Sequence, residues 1–111
     1  EPDGKDASMM FIRDMVVEKK NIDLLDDVSF VFIPVFNVDG HENFSATNRI
    51  NQNGPEELGT RNTAQLINLN RDFLKADAPE MRAWLKLYNR WMPELFIDVH
   101  VTNGGQGFLD I

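Results

Sequence analysis

Apolar positions in the first twenty residues recur at helical spacing. Met9, Ile12 and Val16 form one stripe, and Phe11 and Met15 flank it. The spacing predicts a helix from about Ala7 to Lys20, with Met10 and Met15 as core residues. Lys19 and Lys20 suit its negative C-terminal end. Asn21 to Asp27 is turn-like and has room for another helical turn. The period then changes. Val28-Ser29-Phe30-Val31-Phe32-Ile33 is a nearly continuous apolar run rich in β-branched and aromatic residues. Such a run predicts a strand buried on both faces, as in a parallel or mixed sheet. Pro34 falls at its far end, where a lost donor does least damage.

Asn37-Val38-Asp39-Gly40 is a turn signal, and from His41 to Asn68 the chain is polar without a clear period. A connection of this length is functional, hides an element, or is disordered. Asp77-Ala78-Pro79-Glu80 predicts a helix start, with Asp77 as N-cap and Glu80 completing a capping box. Met81, Trp84, Leu85, Tyr88 and Trp91 continue it as a packing stripe to about Arg90, and Pro93 ends it. Leu95-Phe96-Ile97-Asp98-Val99-His100 predicts a second strand, apolar until its C-terminal end, with a turn at Thr102-Asn103-Gly104-Gly105. The order predicts one α/β domain over residues 1–111: a mixed, mostly parallel sheet with flanking helices. Its polar residues gather at strand ends, where open sheets place their sites.

Composition narrows the partners more than the fold. A net charge of -7 argues against nucleic acid and anionic membrane surfaces, both of which reward basic patches. Cysteine is absent, which excludes disulfides and thiolate metal sites. No apolar run approaches the roughly 18 residues of a membrane span. The chain opens on Glu1 rather than Met and closes on Gly107-Phe108-Leu109-Asp110-Ile111, which reads like the entry to another element. It is therefore expected to be part of a larger domain.

The densest candidate chemistry lies between Arg61 and Phe73. Two arginines and several amides surround the apolar pair Leu66-Ile67. A guanidinium never deprotonates and grips a carboxylate through two parallel hydrogen bonds. A loop over the nine positions from Arg61 to Asn70 could bring both arginines to one anionic or polarised substrate; the plain alternative is a polar surface loop. Asp98 and His100, two apart on a strand, point to one face. They form either a rim pair or a metal or acid/base pair, because an imidazole ligand needs a partner to fix its tautomer. His41 follows a turn and reads as a surface residue.

Taken together these pieces resemble the zinc metallocarboxypeptidases of the M14 type, from Glu1 to about Gly104. That family carries His-x-x-Glu, a helix, a strand ending in Asn-Pro-Asp-Gly, an arginine loop, Asp-x-Asn-Arg-Asn-Phe, and a strand ending in His. Glu1-Pro2-Asp3-Gly4 matches the end of the first motif and Asn37-Val38-Asp39-Gly40 the second. Leu69-Asn70-Arg71-Asp72-Phe73 matches the fourth and Phe96-Ile97-Asp98-Val99-His100 the last. The spacing from Arg61 is most similar to the regulatory carboxypeptidase branch, whose loop reads Gly-Arg-x-Asn.

The resemblance implies an incomplete zinc-carboxypeptidase-like catalytic domain, in which Glu1 and His100 are two of three protein zinc ligands. Three ligands and one open position let the metal lower the pKa of bound water towards ~7. Arg61 would polarise the scissile carbonyl, while Asn70 and Arg71 would hold the substrate's terminal carboxylate. The implied activity is removal of C-terminal residues from peptides. The first zinc His would precede Glu1 by three residues, and the general-base Glu would lie beyond the third ligand, so the isolated chain is expected to be inactive. Asn68 stands where the family usually has the Asp that orients the first His, and Val38 replaces the usual Pro. Arg49 is the alternative to Arg61.

Two other functions fit the same residues. One is a zinc-dependent amidase of the superfamily that deacylates N-acyl amino acids; the intact Asn70-Arg71 pair favours the peptidase over it. The other is a non-catalytic binding relative. A secreted or periplasmic setting is common among such enzymes, and Asn43-Phe44-Ser45 fits a glycosylation acceptor pattern. A truncated sheet would expose edges and apolar faces, predicting self-association.

Overall fold

The computed structural model describes residues 2–101. Among the described residues there are three α-helices: α1 (Pro2–Val16), α2 (Val38–Glu42) and α3 (Pro79–Trp91). Two short 3-10 helices lie at Ile22–Asp26 and Leu69–Arg71. The first falls in the segment where a further helical turn was expected. Helix α1 begins earlier than its stripe suggests and stops at Val16, ahead of Lys19 and Asn21, which both have positive φ. Met15 is buried, whereas Met10 is exposed, so only one of the two methionines is a core residue.

The expected α/β sheet is not formed. Among the described residues there is no strand, only isolated antiparallel bridges at Ser45↔Leu58 and Asn62↔Asn68. Both apolar runs are irregular and exposed; Val31 keeps 48% of its surface and Ile97 71%. An apolar run makes a strand only if a neighbour exchanges backbone hydrogen bonds with it, and no described segment lies alongside either run in that way. The two runs pack through rings instead. Phe30 and Phe32 meet Phe11 of α1 at 5.5 and 6.0 Å, and Phe96 meets Trp84 of α3 at 5.3 Å.

The core is small and sits under α3. Leu69, Ala78 and Met81 are its buried members, with Phe36, Ile67, Phe73 and Trp84 packed against them. Phe73 and Trp84 meet edge to face at 5.3 Å. The core therefore joins the stripe of α3 to the residues that immediately flank Asn70 and Arg71. Asp77 is not the N-cap of α3. Ala78 occupies that position, and Asp77 pairs with Lys75 at 3.0 Å, a hydrogen bond that raises the Lys75 pKa. The capping work falls to Asp72, which is buried and accepts from Asp77 N at 3.0 Å and Ala78 N at 2.8 Å.

Candidate functional site

The Arg61 to Phe73 stretch folds back on itself as a small closed loop. Asn62 and Asn68 form a bridge, and Thr63 N donates to Ile67 O at 2.9 Å. Leu66 N donates to Thr63 O at 2.9 Å, and the buried Thr63 also accepts at its hydroxyl from Gln65 N and Ile67 N. Arg61 precedes the bridge at one end of this loop, and Asn70-Arg71 follow it at the other in the 3-10 helix Leu69–Arg71. Asn68 caps the short helix that carries Asn70 and Arg71, accepting from Asn70 N at 3.1 Å. Arg71 donates to Asn70 O at 2.9 Å and is exposed. Arg61 is exposed and Arg49 is buried.

The loop is fastened to α2 by the turn motif that precedes it in sequence. Asn37 accepts from Gly40 N at 3.0 Å as the cap of α2, and its amide donates to Arg61 O at 3.2 Å. Asp39 accepts from Ala64 N at 2.8 Å, and Thr60 N donates to Gly40 O at 2.9 Å. Asn37-Val38-Asp39-Gly40 reads as a plain turn in the sequence, yet it is the anchor of the arginine loop. Its partners, Arg61 O and Ala64 N, lie 24 and 25 residues further along, so the local motif does not name them. A cavity of about 500 Å³ opens between α2 and the loop, bounded by Asp39, Glu42, Asn43, Asn62, Thr63 and Leu66, among others. Arg61, Asn70 and Arg71 are not among its lining residues.

His41 is half-buried rather than a surface residue. Its Nε2 lies 3.1 Å from Lys5 Nζ and its Nδ1 2.7 Å from Glu42 Oε1, linking α1 to α2. Asp98 and His100 do meet, at 3.0 Å between Oδ2 and Nε2, although the strand expected to align them is absent. Both are exposed. Asp72 has a shifted carboxyl group. Its pKa is lowered, first by the hydrogen bond from Ala78 and then by that from Asp77, Lys75 and Arg82 adding, while desolvation opposes.

The zinc carboxypeptidase model, Peptidase_M14, matches residues 1–78 of the 111-residue chain. The chain belongs to this family. No curated protein and no solved structure matches it. The matched span covers α1, α2 and the whole arginine loop, and stops before the stripe of α3. Members depend on zinc, while the paired Asp98 and His100 lie beyond the matched span. Glu1 lies outside the described residues. Among the described residues no three His, Cys, Asp or Glu side chains converge, so this part of the chain does not make a zinc site by itself. No described helix is long and apolar enough to cross a membrane.

Proposed function

We propose that this chain supplies the substrate clamp and part of the metal shell of a zinc-dependent carboxypeptidase acting on peptide C-termini. The single observation that supports it best is the closed loop with Arg61 at one end and Asn70-Arg71 at the other. Asn70 and Arg71 hold the terminal carboxylate; Arg71 spends one of its five donors on Asn70 O and keeps the rest for a ligand. Arg61 faces the scissile carbonyl and holds the negative charge that develops on its oxygen. Glu1 and His100 serve as two of the protein's zinc ligands, and the metal supplies a reactive water at neutral pH. Specific binding of a free carboxylate, next to a group that polarises the preceding carbonyl, restricts cleavage to the last peptide bond.

The 111 residues alone are expected to be inactive, because they carry only two of the three protein ligands that zinc chemistry needs. The check is to add zinc to the isolated chain and follow release of C-terminal residues by mass spectrometry. No release above the metal-free control is expected. Zinc-dependent release would refute the view that a third protein ligand from outside these residues is needed. The exposed apolar runs at 28–33 and 95–100 support self-association of the chain in this form.

A further inference from the structure

Helices α1 and α2 are joined by a side chain whose hydrogen bonds depend on its charge. His41 Nε2 lies 3.1 Å from Lys5 Nζ on α1, and His41 Nδ1 lies 2.7 Å from Glu42 Oε1 on α2. An ammonium donates and never accepts, so Nε2 presents its lone pair to Lys5. The ring proton then sits on Nδ1 and is donated to the Glu42 carboxylate. One neutral tautomer thus serves both helices. The imidazolium cannot do so. With both nitrogens protonated, Nε2–H faces the ammonium as donor against donor and cation against cation. The charged groups around the ring reinforce this asymmetry. Glu42 attracts the imidazolium and keeps it on α2, whereas Asp6 Oδ1, 3.8 Å from Lys5 Nζ, offers the displaced ammonium a partner on its own helix. Phe44 meets the ring edge to face at 6.0 Å and carries no charge. The His41 side chain is 27% exposed and that of Lys5 31%, so protons reach the ring while solvent screens the pair only in part.

We propose that His41 is a pH-operated latch, closed on Lys5 while the ring is neutral and released from α1 when the ring takes up a proton. What the latch joins gives its release a consequence. Helix α1 follows Glu1 in the chain, and its Gly4 lies so close to Val99 that an added methyl would sit 3.0 Å from that side chain, next in sequence to His100. Helix α2 and its cap hold the arginine loop: Asn37 donates to Arg61 O, Asp39 accepts from Ala64 N, and Gly40 O accepts from Thr60 N. Acidification therefore disconnects the helix beside Glu1 and His100 from the helix that anchors Arg61. This consequence for activity rests on the roles proposed above for those three residues, whereas the latch itself rests on the contacts of His41 alone.

Two measurements on the 111-residue chain test it. Long-range proton–nitrogen NMR reads the tautomer of the His41 ring directly. The Nδ1–H form is expected at about pH 8, and the Nε2–H form there overturns the latch. Urea melts at about pH 8 and pH 5, the span over which imidazoles charge, then compare wild type with Lys5→Met. The substitution is expected to lower the folding constant roughly threefold at the higher pH, the scale of a partly exposed charged hydrogen bond, and to leave it unchanged at the lower. Both chains carry His100 and the same carboxylates, so the comparison at each pH cancels their titration. In a His41→Gln background the amide cannot titrate, and Lys5→Met then has the same effect at both pH values. An effect of Lys5→Met on wild type that is equal at the two pH values, or a pH dependence that survives His41→Gln, overturns the latch. Neither readout involves a peptide, so the latch and the carboxylate clamp fail separately.

Discussion

Replacing Asp72 with alanine lowers the melting temperature by roughly 10 °C or more, because two backbone donors lose a charged acceptor inside the protein. Asp72 keeps 1% of its surface and takes Asp77 N and Ala78 N on its two carboxylate oxygens. Those groups open α3, which has no side-chain cap of its own at Ala78. The helix also depends on the same few residues for its core, since Ala78 and Met81 sit beside Leu69. Loss of the cap therefore reaches the loop that holds Asn70 and Arg71. Asp72→Asn, which keeps acceptor oxygen but not the charge, falls between wild type and alanine. The dependence on pH follows from the lowered pKa of Asp72. The folded-state value lies below the ordinary aspartate value of about 3.9, so this stabilisation is complete above that pH. It is lost as pH falls through the folded pKa. Thermal melts from neutral pH downward show the loss in wild type, and the alanine variant lacks that component. A melting temperature within two or three degrees of wild type would mean that solvent or other groups satisfy the start of α3.

The second large effect is expected at Gly40. A methyl group there would overlap the Thr60 carbonyl oxygen and the side-chain amide of Asn37. Backbone cannot yield as a flexible side chain can, so α2 and the 59–60 segment must move apart. Thr60 N then loses Gly40 O, and Asn37 loses its hold on Arg61 O. Overpacking of this kind costs about 1–3 kcal/mol. Gly40→Ala is therefore expected to destabilise the chain by that amount in urea melts. It also loosens Arg61 relative to α2, which hydrogen exchange at Ala64 and Thr60 would report. Gly59→Ala meets the facing carbonyl of Gly40 and acts in the same direction. An unchanged midpoint in both variants would show that the two segments are not in contact in solution.

The family was legible in the sequence before the framework was: short motifs such as Asn37-Val38-Asp39-Gly40 and Leu69-Asn70-Arg71-Asp72-Phe73 depend on residue identity over a few positions, and both fall within the matched span 1–78. The Asp98–His100 contact forms although the expected strand does not, since two side chains two residues apart can meet without a ladder. The absence of a sheet among the described residues was not legible in the same way. Val28–Ile33 has the composition of a buried strand, but composition names no partner, and the described chain places none beside it. The cap of α3 was misplaced for a related reason. Asp77 stands at the right offset, but Asp72 reaches the same amides from across a turn and is held there by burial. The anchoring role of Asn37 and Asp39 depends on contacts 24 and 25 residues apart, which no local pattern encodes. His41 was misjudged because Lys5, 36 residues away, shields it.

The central claim is that Asn70 and Arg71 receive a peptide's terminal carboxylate. It is tested most directly by one calorimetric comparison: a peptide as free acid and as C-terminal amide, against wild type and Arg71→Met. Wild type is expected to prefer the free acid by about tenfold or more, the scale of a charge-assisted bidentate contact, and Arg71→Met to bind both forms alike. Equal affinity of wild type for the acid and the amide, or a preference for the acid that survives in Arg71→Met, would contradict it.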